Sequence, residues 1–141
     1  MVEKRFPATL DQLDSVQRFV LEQLAGYSYS ERVRAQLDVA VEEIFVNIAR
    51  YAYPPDQPGW VKLCCRVEPS PLQIVIQFVD QGVPFDPLKK QDADTTLTAE
   101  ERPIGGLGIL MVKRSMDQVS YVYDNGQNML TLVKKIATTT A

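Results

Sequence analysis

Histidine is absent from all 141 residues. Its absence excludes His-based nucleophile triads, most zinc sites and any self-phosphorylating histidine. Cysteine is almost absent too. Cys64 and Cys65 are adjacent, and neighbours on a strand leave on opposite faces, so the pair suits neither a disulfide nor a metal site. Such cysteine usage makes the cytoplasm the expected compartment. No apolar run approaches the ~20 residues that span a bilayer, and the first six residues lack the apolar core of a signal peptide, so no membrane partner is expected. Positive charge is not in excess: the net charge is −3, which gives no reason to expect direct nucleic-acid binding. What is present, 45% hydrophobic and 23% charged residues, is ordinary for a globular protein, and the length fits one domain over residues 1–141 with a real core. There is no internal repeat.

Residues 4–8 suit a short edge strand, since Pro7 argues against a central one. Thr9 and Gln12 have the spacing of a capping box, and Leu13, Val16, Val20, Leu21 and Leu24 recur at helical spacing to about Ala25, where Gly26 ends the helix. Residues 28–31 repeat the capping-box pattern before the longest helix, about 30–53, whose apolar stripe is Val33, Leu37, Val41, Ile44 and Ile48. Pro54-Pro55 stops it. Residues 60–68 alternate as a strand with one wetter face, and 72–79 form a more fully buried strand. Asp124-Asn125-Gly126 is a hairpin turn between strands 118–123 and 127–136.

Three features carry chemistry. Glycine is scarce, with seven in the chain, yet three fall within Gly105-Gly106-Leu107-Gly108, ahead of an apolar run in which Leu107, Leu110, Met111 and Ser115 share helical spacing. A helix starting there turns unpaired N–H groups and a partial positive charge toward the loop, an arrangement that binds anions, most often phosphate. A glycine turn before a buried helix is the plainer alternative. No Gly-Lys-Ser/Thr follows, so this is not a P-loop, and the spacing is not that of a Rossmann fingerprint. Second, Glu43 and Asn47 lie four apart on the long helix, hence side by side on the flank of its stripe. Asn is a mediocre helix former, so its mid-helix position invites a reason, although taken alone such a short pair is better explained as a solvated helix flank. Third, Asp80 ends a strand face built of Ile74, Ile76 and Phe78. A carboxylate there must find donors or water; a turn-capping Asp before Gly82 is the simpler account. Between Asp80 and the glycine loop, residues 83–104 are polar and aperiodic, the pattern of a functional lid.

Taken in this order, the phrases Val41-Glu42-Glu43-Ile44-Phe45-Val46-Asn47-Ile48-Ala49, Asp80-Gln81-Gly82-Val83-Pro84-Phe85-Asp86-Pro87 and Gly105-Gly106-Leu107-Gly108-Ile109-Leu110-Met111-Val112 resemble the GHKL ATPase superfamily, whose ATP site is the Bergerat fold. More narrowly, they resemble the bacterial anti-sigma-factor serine/threonine kinases. The resemblance implies an α+β two-layer sandwich, with a mixed, mostly antiparallel sheet and helices on one face. It also implies ATP and Mg²⁺ as cofactors. Asn47 would hold the Mg²⁺, Glu43 would be the general base, Asp80 would accept the adenine amino proton and Gly82 would let the adenine lie close. Gly105, Gly106, Leu107 and Gly108 would close over the phosphates, and Arg102 would reach the terminal phosphate. The partners implied are an anti-sigma-factor antagonist as phosphate acceptor, a sigma factor, and a second copy in a homodimer. Two positions depart from the family pattern: the end of the long helix, Arg50-Tyr51-Ala52-Tyr53, has no His, and Pro84 replaces a second glycine. The competing reading is an ATP-binding switch module that docks partners without transferring phosphate; the presence of Glu43 weighs against it. A histidine-kinase catalytic fragment is disfavoured, because no His-bearing dimerisation helices accompany it and the chain reads as complete.

Overall fold

The computed structural model describes residues 1–88 and 106–136. Five strands form one sheet: β1 (Val2–Pro7), β2 (Trp60–Pro69), β3 (Leu72–Asp80), β4 (Gln118–Asp124) and β5 (Gln127–Lys135). Their order is β1-β2-β3-β5-β4, and all four pairings are antiparallel. Helices α1 (Leu13–Glu22), α2 (Glu31–Tyr51) and α3 (Gly106–Ser115) pack on its inner face. This is the two-layer α+β arrangement expected, without a parallel pair among the described residues.

Strand alternation decides what the inner face contains. Leu63 and Cys65 from β2, Ile74, Ile76 and Phe78 from β3, and Leu130 and Leu132 from β5 are buried there. They meet Leu37, Ala40, Val41, Ile44 and Phe45 of α2 and Val16 and Val20 of α1 in one cluster. Phe6 and Phe19 meet edge to face at 5.8 Å, tying the edge strand β1 to α1. Cys64 and Cys65 are both free and buried, one toward each face, as alternation requires. Burial pushes the Cys65 thiol up to about 12, so no reactive thiolate arises there. No helix among the described residues is long and apolar enough to cross a membrane.

The helix ends differ in detail from the sequence reading. Thr9 caps a 3-10 turn, Leu10–Gln12, and its hydroxyl donates to Asp11 in place of accepting from the helix, so α1 starts only at Leu13. At α2 the cap is Ser30, whose Oγ accepts from the Val33 N–H at 3.1 Å. On α3 Ile109 and Val112 are buried, as is Met116 just past its end, while Met111 is 57% exposed. The stripe expected from the sequence, Leu107, Leu110, Met111 and Ser115, is therefore not the buried face: Met111 is exposed and Leu110 and Ser115 are half-buried, because residues 107–112 are apolar all round except Gly108 and tertiary contacts choose the phase. Lys134 Nζ donates to the Ser115 carbonyl at 2.7 Å and caps the C-terminus of α3, where a cation complements the helix dipole. Asn125 and Gly126, with φ of 51° and 74°, make the expected hairpin turn.

The chain leaves β3 at Asp80 and returns through α3 and β4. Strand β5 then inserts between β3 and β4. The start of β5 therefore lies beside the end of β3, with Asp80 opposite Asn128. The C-terminal end of α2 reaches the same corner. Tyr53, just past that helix, donates its hydroxyl to the Trp60 carbonyl at 2.5 Å and accepts from the Gln81 N–H at 2.9 Å. One phenol thus links the end of α2 to the start of β2 and the end of β3. Tyr53→Phe is expected to lower unfolding free energy by about 1 kcal/mol, since both bonds are lost but water reaches the groups they leave. Urea unfolding measures it; an unchanged midpoint would mean the phenol pins nothing.

Candidate functional site

The corner described above is a cleft. Ile44, Ile48 and Ala52 from the α2 side, Phe78 from β3, Val83 from the following loop and Leu130 from β5 give it apolar walls. Asp80, Asn128, Asn47 and Tyr121 contribute its polar groups. It encloses about 560 Å³, part of it open to solvent.

Asp80 and Asn128 are the two buried polar side chains among the described residues, 4% and 6% exposed. Asp80 Oδ1 accepts from the Gly82 N–H at 2.8 Å and from Asn128 Nδ2 at 2.9 Å. Its second oxygen, Oδ2, accepts no hydrogen bond among the described residues. Burial raises the Asp80 carboxyl above its ordinary range, and the bonds from Asn128 and Gly82 oppose that rise. A buried acceptor left over in an apolar cleft is costly unless a ligand supplies a donor. A flat, apolar base with an exocyclic amino group fits these walls and this oxygen.

Asn47 and Glu43 come from the middle of α2. Asn47 Nδ2 donates to Glu43 Oε1 at 3.2 Å, which confirms that the two side chains meet. That bond uses the amide nitrogen and leaves Asn47 Oδ1 without a donor among the described residues. A neutral amide oxygen suits a hard cation such as Mg²⁺. No cluster of three or more His, Cys, Asp or Glu suited to a metal occurs among the described residues, so any ion here would need most of its ligands from phosphate and water. The Glu43 carboxyl is raised chiefly by burial, with the Asn47 bond opposing and the charge of Glu42 adding to the rise.

The glycines have distinct surroundings. A Cβ on Gly108 would lie 2.0 Å from Glu43 Cδ. The bare main chain of the first turn of α3 thus receives the Glu43 carboxylate. A Cβ on Gly82 would lie 2.3 Å from the Ala52 carbonyl oxygen, which itself accepts from the Val83 N–H at 3.0 Å. Gly82 is therefore required where the loop crosses the end of α2, a reason that local sequence does not reveal. Gly106 and Leu107 open α3. Arg102, Gly105 and nearly all of the expected lid, residues 89–104, lie outside the described residues.

Asn128 and Tyr121 escaped the sequence reading. Asn128 donates to the Gly82 and Val83 carbonyls at 3.3 and 2.9 Å as well as to Asp80. Its Oδ1 accepts from the Tyr121 hydroxyl and, at 3.2 Å, from the Phe85 N–H. The signal was available: Asn128 precedes Leu130 and Leu132 on one strand face, as Asp80 follows Ile76 and Phe78. A polar residue on each of two apolar faces invites pairing.

A five-stranded antiparallel sheet with helices on one face, and an Asp-ended strand beside an Asn- and Glu-bearing helix, define a histidine kinase-like ATPase domain. The family model of that description matches residues 6–134, and the chain belongs to this family. Among named relatives, it is 30% identical over 132 residues to the serine-protein kinase RsbW of Bacillus licheniformis, covering 89% of this chain and 79% of that protein. It is 26% identical over 109 residues to the serine/threonine-protein kinase BtrW of Bordetella bronchiseptica, covering 77% of this chain and 75% of that one. Solved structures agree on the fold. The RsbU and RsbW domains of Rv1364c from Mycobacterium tuberculosis align over 96% of this chain with a TM-score of 0.64 at 15% identity. This chain spans 33% of that one. The Acinetobacter baumannii histidine kinase AdeS aligns over 96% of this chain and 69% of its own, with a TM-score of 0.54 at 10% identity.

Proposed function

We propose that this protein is an ATP-dependent protein serine/threonine kinase that also acts as an anti-sigma factor. Its phosphate acceptor would be a small anti-sigma-factor antagonist, its second binding partner a sigma factor, and its working form a homodimer. One observation carries the reading: a single cleft joins an apolar, Asp80-ended wall that suits adenine to Asn47 and its hydrogen-bonded neighbour Glu43. Relatives named as serine-protein kinases supply the class of acceptor.

In this reading Asp80 Oδ2 accepts from the adenine amino group while the apolar walls take the ring faces. Asn47 Oδ1 would hold Mg²⁺, which when bound would neutralise phosphate charge. Glu43, raised by burial, takes the proton of the attacking hydroxyl at its carboxylate. The N-terminal turn of α3 offers N–H groups to phosphate oxygens; Arg102 remains proposed for the terminal phosphate.

Asp80→Ala is expected to weaken ATP binding by roughly 10–100-fold, the equivalent of leaving a buried donor unpaired at about 1–3 kcal/mol. Calorimetry with Mg-ATP measures it, and unchanged affinity would remove Asp80 from the site. Transfer of label from ATP to candidate antagonists tests the activity itself. Tight ATP binding with no transfer to any acceptor would favour the non-catalytic switch module.

A further inference from the structure

Asn128 is more tightly committed than any other side chain in the cleft. It faces Asp80 directly across the β3–β5 ladder. Its two N–H groups serve Asp80 Oδ1 and the Val83 carbonyl, both at 2.9 Å, with the Gly82 carbonyl sharing at 3.3 Å. Its oxygen takes the Tyr121 hydroxyl and the Phe85 N–H. The amide cannot be turned over: that would set its oxygen against a carboxylate and two carbonyls, and its NH₂ against an N–H. Every donor it owns is spent on protein, so none is left for a ligand's carbonyl.

We infer that Asn128 is the positioning residue that sets base selectivity: by occupying Asp80 Oδ1 together with the Gly82 N–H it leaves Oδ2 as the available acceptor, so the cleft takes a purine bearing an exocyclic amino group and rejects one bearing a carbonyl there. This rests on the ATP reading above. The physical basis is donor counting. A carboxyl that becomes protonated can donate to a carbonyl, and one that rotates no longer aims Oδ2 at an amino group. The Asn128 N–H bond opposes both, because it rewards the charged form and fixes its orientation. Asn128 touches no ligand in this scheme; it acts through Asp80.

The test compares binding of ATP with that of inosine triphosphate, which has a carbonyl in place of the amino group. Wild-type protein is expected to prefer ATP by about 10²-fold or more, as sites built around a substrate N–H do. Asn128→Thr keeps one donor for Asp80 and should hold the preference within about threefold of wild type. Asn128→Asp places a second carboxyl beside the first, so the pair shares a proton at neutral pH and gains a donor; its preference should fall by about tenfold or more. Asn128→Ala leaves only the Gly82 N–H on Asp80 Oδ1 and so favours the charged, fixed carboxylate less; it should move in the same direction, which keeps the test alive if the Asp variant does not fold. A residue that only tethered the loop would weaken both nucleotides together and leave their ratio alone. An unchanged ratio in folded Asn128→Ala and Asn128→Asp protein overturns the inference. Equal wild-type binding of the two nucleotides also overturns it while leaving the nucleotide reading intact. If wild-type protein binds neither, the nucleotide reading fails and the inference with it.

Discussion

Glu43→Gln is expected to bind Mg-ATP as wild-type protein does and to transfer phosphate about 10²–10⁴-fold more slowly, the usual cost of removing a general base. The substitution changes almost nothing else. Gln has the same shape, and its carbonyl oxygen can still accept from Asn47 Nδ2, which now reaches Glu43 Oε1 at 3.2 Å. It cannot accept a proton at neutral pH. The same assignment fixes the sign of the pH dependence in wild-type protein. Transfer needs the carboxylate, so the rate falls as pH drops through the Glu43 pKa. Burial raises that pKa above the ordinary 4.5, which places the acid limb above the usual Glu range. Single-turnover assays with labelled ATP and an antagonist measure both effects. Wild-type turnover in the Gln variant would reject Glu43 as base and support a module that binds nucleotide without using it chemically.

The features legible in the sequence were those governed by short-range geometry. Glu43 and Asn47 are four apart on a helix, and the helix period alone makes them neighbours. Asp80 stands at the end of a strand face whose other members are apolar, so its burial followed from alternation. The hairpin at Asn125-Gly126 was equally local. What escaped depends on which distant segments meet. Asn128 is ordinary until β5 inserts beside β3 and sets it against Asp80. Gly82 resembled a ligand-facing glycine, whereas its nearest constraint is the Ala52 carbonyl at the end of α2. Tyr53 stands within the helix end that departs from the family pattern, and its linking role appears only when β2 and β3 reach its hydroxyl. The stripe of α3, read as Leu107, Leu110, Met111 and Ser115, was out of phase for a different reason: an almost uniformly apolar segment has no preferred face until tertiary contacts bury Ile109, Val112 and the following Met116.

Gly108→Ala is expected to leave the fold intact and to impair phosphoryl transfer nearly as severely as Glu43→Gln, by about 10²-fold or more. The added methyl would sit 2.0 Å from Glu43 Cδ and 2.2 and 2.4 Å from its two oxygens, so the carboxylate has to leave. Those atoms end a flexible side chain, and they can swing away at little cost to packing. Helix propensity works in favour of the variant, since Ala is a better helix former than Gly. Stability is therefore retained or slightly raised while the base is displaced from Asn47. Gly82→Ala provides the contrast. Its methyl would meet the Ala52 carbonyl oxygen at 2.3 Å and the carbonyl carbon at 2.7 Å. Main chain at a helix end cannot swing aside, so overpacking of about 1–3 kcal/mol falls on the fold itself, and ATP affinity should fall with it. Thermal unfolding, ATP calorimetry and single-turnover transfer on the two variants separate the cases. A stable Gly108→Ala protein with wild-type transfer would show that the Glu43 carboxylate need not rest against the first turn of α3, and an unfolded one would show that the contact serves packing and not chemistry.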